Sequence, residues 1–318
     1  MIDTVLSALE GIFTIVFVVG TGCFLGWSGW FDEKNNAMIA KLVTHISLPC
    51  YLITGMTKSF TLSRLIELMP DMLLPLASVA LAMAAGFLCV RLLRVQEGRR
   101  GILQTNFFIA NTMFIGLPVN LALFGDESIP SVMLYYVVNT VFFWTFGVYN
   151  IVSDTSGESF GGLFSPKAVK KLFSPPLLGF MAAVFLIVTN IHLPKPMLQG
   201  MQYVGNLTTP LSLIFIGAEI SKISLRQFRF ESDILLGLFG RFVVCPACVL
   251  LLVPFFTASP ISVKVFTMQA AMPAMTQMAI VAKQYGGDSG YAAALSFITI
   301  LSGLIVIPVY MIIVNTIM

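Results

Sequence analysis

The sequence predicts an all-α integral membrane protein of ten transmembrane helices, arranged as two inverted five-helix repeats. Three observations carry that reading. Of the 318 residues, 57% are hydrophobic and only 10% charged, against about a quarter charged in a soluble domain. A chain of this length could bury only part of so much apolar surface in one core, so its solvent is lipid. Apolar stretches of membrane-crossing length follow one another along the whole chain, and two short motifs recur at half its length. The composition excludes a cytosolic enzyme, a nucleic-acid binder and a disordered protein.

Taking about 20 residues as the length that crosses about 30 Å of hydrocarbon, the first-half spans are 5–25, 37–56, 72–92, 102–124 and 129–152. The second-half spans are 172–189, 197–220, 234–256, 262–285 and 291–317. The first span has no basic n-region and is too long for a signal h-region, so it is expected to stay uncleaved. Trp27 and Trp30 at its end read as interfacial anchors. Phe142, Phe143, Trp144 and Phe146 cover several faces of the fifth span, which suits lipid and packing contacts. Cys23, Cys50, Cys89, Cys245 and Cys248 all fall within apolar stretches and act as small hydrophobes. The CxxC spacing at Cys245 and Cys248 is read as packing, since thiols in lipid lack a stabilised thiolate.

Basic residues set the orientation, because they are retained on the cytoplasmic side. Twelve Lys and Arg fall in connections on one side and four (Lys58, Arg64, Lys195 and Lys264) on the other. Both termini are therefore expected outside the cell membrane and the long central connection in the cytoplasm. Lys41 and Arg241 remain inside spans. Lys41 most simply reaches back to the headgroups.

Ser47-Leu48-Pro49 recurs as Thr208-Thr209-Pro210 at an offset of 161, and Gly125-Asp126-Glu127-Ser128 as Gly287-Asp288-Ser289-Gly290 at 162. Five spans per unit is odd, so the second unit enters the membrane from the opposite side and the repeat is inverted. The units are residues 1–153 and 172–318, joined by 154–171.

The fourth and ninth spans are the least able to stay continuous. Pro118 removes a donor and clashes with the preceding turn, and Gly116 tolerates the altered backbone, so a break is expected there. Pro273 stands at the matching place in the ninth span, 162 residues after Asn111. Unwound backbone at membrane depth is tolerated only where it lines a protein cavity, and half-helix N-termini present free N–H groups to an anion. Ordinary proline kinks are the bland alternative; the polar residues concentrated around the breaks favour function.

Arg241 lies about eight residues into its span, roughly 12 Å deep, where a guanidinium costs on the order of 3 kcal/mol. Three readings stand: a counter-charge for a carboxylate substrate, a partner of Glu219, or snorkelling to the interface. His45 can serve structure or proton relay, and Glu10 most simply snorkels. Asn106, Gln269 and Asn139 are further embedded polar groups, held with His45 and Glu219 as secondary or coupling candidates. Neither an HExxH pattern nor a Walker A loop is present, so no metal, cofactor or ATP chemistry is expected. A scan for a nucleophile or acid pair at depth finds no catalytic residue.

The stretch Asn111-Thr112-Met113-Phe114-Ile115-Gly116-Leu117-Pro118, the Ser47-Leu48-Pro49 element, the Met272-Pro273 break and Lys283-Gln284-Tyr285-Gly286-Gly287-Asp288 ahead of the 302–308 helix resemble the auxin efflux carrier family. Its bacterial members include malate and malonate permeases. The resemblance covers essentially the whole chain. The lack of a long central loop makes it similar to a bacterial member rather than a plant PIN protein. The resemblance implies a fold similar to the bile-acid sodium symporter and to NhaA. In it helices 1, 2, 6 and 7 form a scaffold, and helices 3–5 and 8–10 a moving transport domain. It also implies a homodimer through the scaffold. Asn111 then matches the family's crossover asparagine, and Gly116 and Pro118 its hinge. The ninth span departs from the pattern, with Thr276 and Gln277 as the polar groups nearest Pro273.

The expected function is secondary transport of a small organic anion, a dicarboxylate such as malate, by an elevator-type mechanism in the lipid bilayer. Asn111, Thr112, Gly116, Pro118, Pro273, Thr276, Gln277 and Arg241 are the expected substrate site. Export of auxin-like weak acids, or an anion channel or sensor, are the alternatives. The chain lacks the acidic cluster of a strong sodium site, which favours proton coupling or uniport.

Overall fold

The computed structural model describes residues 2–93, 95–156, 175–221 and 232–317. The side chains of Glu10 and Glu219 lie outside that description, as does most of the predicted central connection. Every regular element described is helical, with one isolated β-bridge. In chain order the helices are α1 (Ile2–Trp27), α2 (Glu33–Leu42), α3 (Leu48–Ser59), α4 (Leu62–Leu68), α5 (Leu73–Leu92), α6 (Arg100–Phe108), α7 (Leu117–Phe124), α8 (Ile129–Phe142) and α9 (Val148–Ser156). They continue as α10 (Pro175–Thr189), α11 (Lys195–Gly205), α12 (Thr208–Ser221), α13 (Ser232–Phe239), α14 (Cys245–Leu252), α15 (Pro260–Ala270), α16 (Gln277–Gln284) and α17 (Ser289–Ile317). Among the described residues, five helical stretches are long and apolar enough to cross a membrane: Lys34–Lys58, Leu62–Leu92, Thr112–Asp154, Ser232–Phe255 and Ser289–Val314. Phe17–Trp27, within α1, and Pro175–Thr189 are shorter apolar stretches.

Several crossings are stacks of short helices joined by one wide π-turn: Val43–Ser47, Thr112–Gly116, Phe143–Gly147 and Gly240–Val244. Three of these turns are followed at the second residue by proline, namely Pro49, Pro118 and Pro246. Proline cannot donate to the preceding turn and its ring crowds the carbonyl four residues back. A turn closed at i+5 absorbs both faults without ending the helix.

That accommodation corrects one expectation. The fourth span does not break at Gly116–Pro118; it breaks at residues 109–111, where Ile109 is extended at φ −110° and ψ 122°. In the ninth span Pro273 does sit inside the interruption, between α15 and α16. The seventh span is also two helices, α11 and α12, separated at Asn206 and Leu207. The α2–α3 stretch, Glu33 to Ser59, and the α11–α12 stretch, Lys195 to Ser221, lie 162 residues apart at both ends.

Small residues set the tightest contact. A methyl group at Gly22 would strike the Ile214 carbonyl, and one at Gly217 the Val19 carbonyl, so α1 and α12 meet backbone to backbone. Close approach of this kind replaces the hydrophobic force that helices lose in lipid. One apolar cluster then joins Val19 and Cys23 on α1 and Leu213 and Ile216 on α12 to Ala110, Ile115 and Met272 at the two interruptions. The ring centroids of Phe114 and Phe215 lie 5.4 Å apart across the same boundary.

Candidate functional site

The two interruptions meet. Ala110 and Ala274 form an antiparallel bridge, and the Asn111 N–H donates to the Pro273 carbonyl at 2.8 Å. Four half-helix ends converge there: α6 and α15 arrive by their C-termini, while the turn leading into α7 and α16 leave by their N-termini.

Backbone removed from a helix must still be bonded, because hydrocarbon offers no partners. Asn139 on α8 serves both groups of Ala110, accepting from its N–H at 2.9 Å and donating to its carbonyl at 3.1 Å. Thr299 on α17 accepts from the Ala274 N–H at 3.1 Å and donates to the Ser296 carbonyl at 2.6 Å. Asn139 and Thr299 are both fully buried. Thr299 escaped the sequence reading. Its signal was its place 160 residues after Asn139, near the repeat offset.

Arg241 is fully buried and does not snorkel. Its Nη1 donates to the Asn106 carbonyl at 3.1 Å and its Nη2 to the Ala270 carbonyl at 2.8 Å. Those carbonyls belong to the last turns of α6 and α15, whose orphan acceptors carry the negative ends of the two dipoles. One helical turn on, Cys245 Sγ donates to the Phe107 carbonyl, so the CxxC cysteine also serves the end of α6. Asn106 Nδ2 returns a bond to the Gly237 carbonyl at 2.9 Å.

On the departing side, Asn111 caps its own turn by accepting from the Phe114 N–H at 3.2 Å, leaving the amide Nδ2 as donor. The first-turn donors therefore lie at 112–114, four to six residues before the proline of α7. Gln269 Nε2 donates to the Thr112 carbonyl at 3.3 Å, and its carboxamide occupies the space a side chain at Gly116 would need. Gly116 is thus required by close approach. Pro118 and Pro273 are buried, Asn111 is 7% exposed, and Thr276 and Gln277 are exposed at the start of α16. The structure so gathers Asn106, Asn111, Thr112, Gly116, Asn139, Arg241, Gln269 and Pro273 around one crossing, with Thr276 and Gln277 at its accessible edge and Pro118 one turn further into α7. His45 is elsewhere, exposed on the π-turn between α2 and α3, its Nδ1 lying 3.2 Å from the Lys41 carbonyl.

A helical bundle in which two interrupted helices cross, with their broken backbone bonded internally, is the architecture of a membrane transport protein. The chain belongs to the auxin efflux carrier family: residues 7–161 and 163–311 match the family model described as membrane transport protein. It is 22% identical over 307 residues to an uncharacterized transporter of Methanocaldococcus jannaschii, covering 95% of this chain and 97% of that protein. It is 21% identical over 307 residues to an uncharacterized transporter of Methanothermobacter thermautotrophicus, covering 96% of this chain and 98% of that one.

Proposed function

We propose that the protein is a secondary transporter that carries a small organic anion, a dicarboxylate such as malate, held where the two interrupted helices cross. The observation that carries this reading is the placement of Arg241. Two C-terminal and two N-terminal half-charges meet at the crossing and would cancel. Arg241 bonds to both C-terminal ends, so the site keeps roughly one positive charge, carried by the N-terminal turns at 112–114 and 276–278. Asn111 Nδ2 and the Thr112 hydroxyl are the side-chain donors for a carboxylate, with exposed Thr276 and Gln277 at the entry.

The matched bounds of α2–α3 and α11–α12 support two inverted five-helix units, 1–153 and 172–318. The helices that carry the crossing are fastened together at both ends. Ser259 donates to buried Asp71 through N–H at 3.2 Å and Oγ at 2.9 Å, and Arg99 pairs with Asp288 at 2.9 Å. Such a unit moves as one body, so in this reading α1–α3 and α10–α12 stay fixed while it slides with the substrate, in the cell membrane with both termini outside.

The test is uptake of labelled malate into proteoliposomes under an imposed pH gradient without sodium. Saturable uptake with counterflow is expected, reduced at least about tenfold by Asn111→Ala, the effect of losing one charge-assisted hydrogen bond. Wild-type rates in both Asn111→Ala and Arg241→Ala would refute the site.

A further inference from the structure

A cleft lies away from the crossing. The end of α3, the 60–62 turn, the end of α10, the 190–194 connection and the first turn of α11 enclose a cleft of about 920 Å³. Lys58, His192 and Lys195 line it, together with Asn190 and Gln202. The described lining residues include no carboxylate, and the sequence holds none over 34–66 or 159–218, the segments that supply the cleft.

The charge balance favours an anion. The C-terminal ends of α3 and α10 each contribute about half a negative charge, and the N-terminal end of α11 about half a positive one. Against that residue of about −0.5 stand two full ammonium charges, leaving roughly +1.5 before His192 is counted. The lysines have no acidic neighbour in the cleft to neutralise them. Asn190, held at φ 52°, turns the chain so that His192 and Lys195 both reach the same space. Leu186, Ile187, Val188 and Leu198 give the same cleft an apolar lining. A lining that combines cations with apolar side chains matches a molecule with an anionic head and a hydrocarbon tail.

We propose that this cleft binds a phosphate ester, with the phosphate between Lys58 and Lys195 and an acyl chain along α10 and α11. A membrane phospholipid satisfies both halves of the cleft, whereas soluble phosphate satisfies only the charged half. The site is built on α3, α10 and α11 and shares no residue with the crossing. Its occupant therefore does not compete with the transported anion.

The experiment follows thermal unfolding of the purified full chain in a neutral detergent, titrated at constant ionic strength with dioctanoyl phosphatidylglycerol, dioctanoyl phosphatidylcholine or inorganic phosphate. Phosphatidylglycerol is expected to raise the midpoint saturably and the zwitterionic lipid to leave it unchanged. Lys58→Gln and Lys195→Gln should each weaken the apparent affinity roughly fivefold, and together about 25-fold. Arg64→Gln, a neighbouring basic residue that does not line the cleft, should leave it within about twofold. Leu186→Trp, which fills the apolar lining, should weaken the lipid and spare inorganic phosphate. An equal saturable shift with inorganic phosphate, abolished by the lysine variants, would support the anion site and assign its occupant to the soluble pool. No saturable shift with either phosphate compound, or one unaltered in the double lysine variant, overturns the proposal.

Discussion

Arg241 shows how one residue reconciles a costly position with a needed charge. Its guanidinium bridges two carbonyls from different half-helices, and removing it strands both in a buried setting at about 1–3 kcal/mol each. Arg241→Met should therefore lower the unfolding midpoint markedly. Arg241→Lys, whose ammonium lacks the planar fork, should recover less than half of the loss; full recovery by lysine would show that charge alone matters. Gly116 makes a complementary case. A methyl group there meets the Gln269 carboxamide, so Gly116→Ala is expected to cost about 1–3 kcal/mol and to lose uptake. Adding Gln269→Ala should restore stability if the collision is the cause. The depth of Arg241 could be read from spacing. Its partners could not, since they lie 135 and 29 residues away and on backbone that only the fold exposes.

The recurrent device among the elements is the short helix stacked on another through a π-turn. Sequence reasoning treats an embedded proline as a break, which succeeds at Pro273 and misplaces the break by seven residues, about two turns, at Pro118. The difference lies in what precedes the proline. Thr112–Gly116 widens into a π-turn that absorbs the missing donor, whereas Met272 and Pro273 follow a helix already ended at Ala270. The real interruption before Asn111 carries no proline; it is held open by Asn139, a contact 29 residues distant. Asn139→Leu removes two bonds at Ala110 and Thr299→Val one at Ala274. At about 1–3 kcal/mol per stranded buried group, denaturation of the purified variants should show Asn139→Leu as the more damaging. Equal losses would mean that the two interruptions are not supported in the way described.

For the whole molecule, helical class, membrane solvent and the half-length recurrence were all legible, because each is a property of composition or order. The pairing of the two interruptions was legible in outline, since Asn111 and Pro273 were matched by offset and do meet. A hydrogen bond spans the boundary that the proposed motion must cross: Tyr51 Oη on α3 donates to Asp126 at 2.7 Å, in the turn between α7 and α8. A hydrogen bond to a charged group contributes about 1.5–3 kcal/mol. If that bond breaks on the way to the transition state of transport, Tyr51→Phe should raise the maximal uptake rate roughly tenfold with KM unchanged. An unaltered rate would place Tyr51 and Asp126 on the same rigid unit.

The single bridge between Ala110 and Ala274 also sets a clock. Amides outside helices normally trade their protons with water quickly, since no ladder has to open first. Here the N–H groups of Ala110, Asn111 and Ala274 are tied, in turn, to Asn139 on α8, to the Pro273 carbonyl and to Thr299 on α17. Releasing any of them requires prising the crossing apart. These three residues, which lie in no helix, should therefore hold their deuterium as long as the buried turns of α8, and their release would mark the global opening of the protein rather than a step of its working cycle.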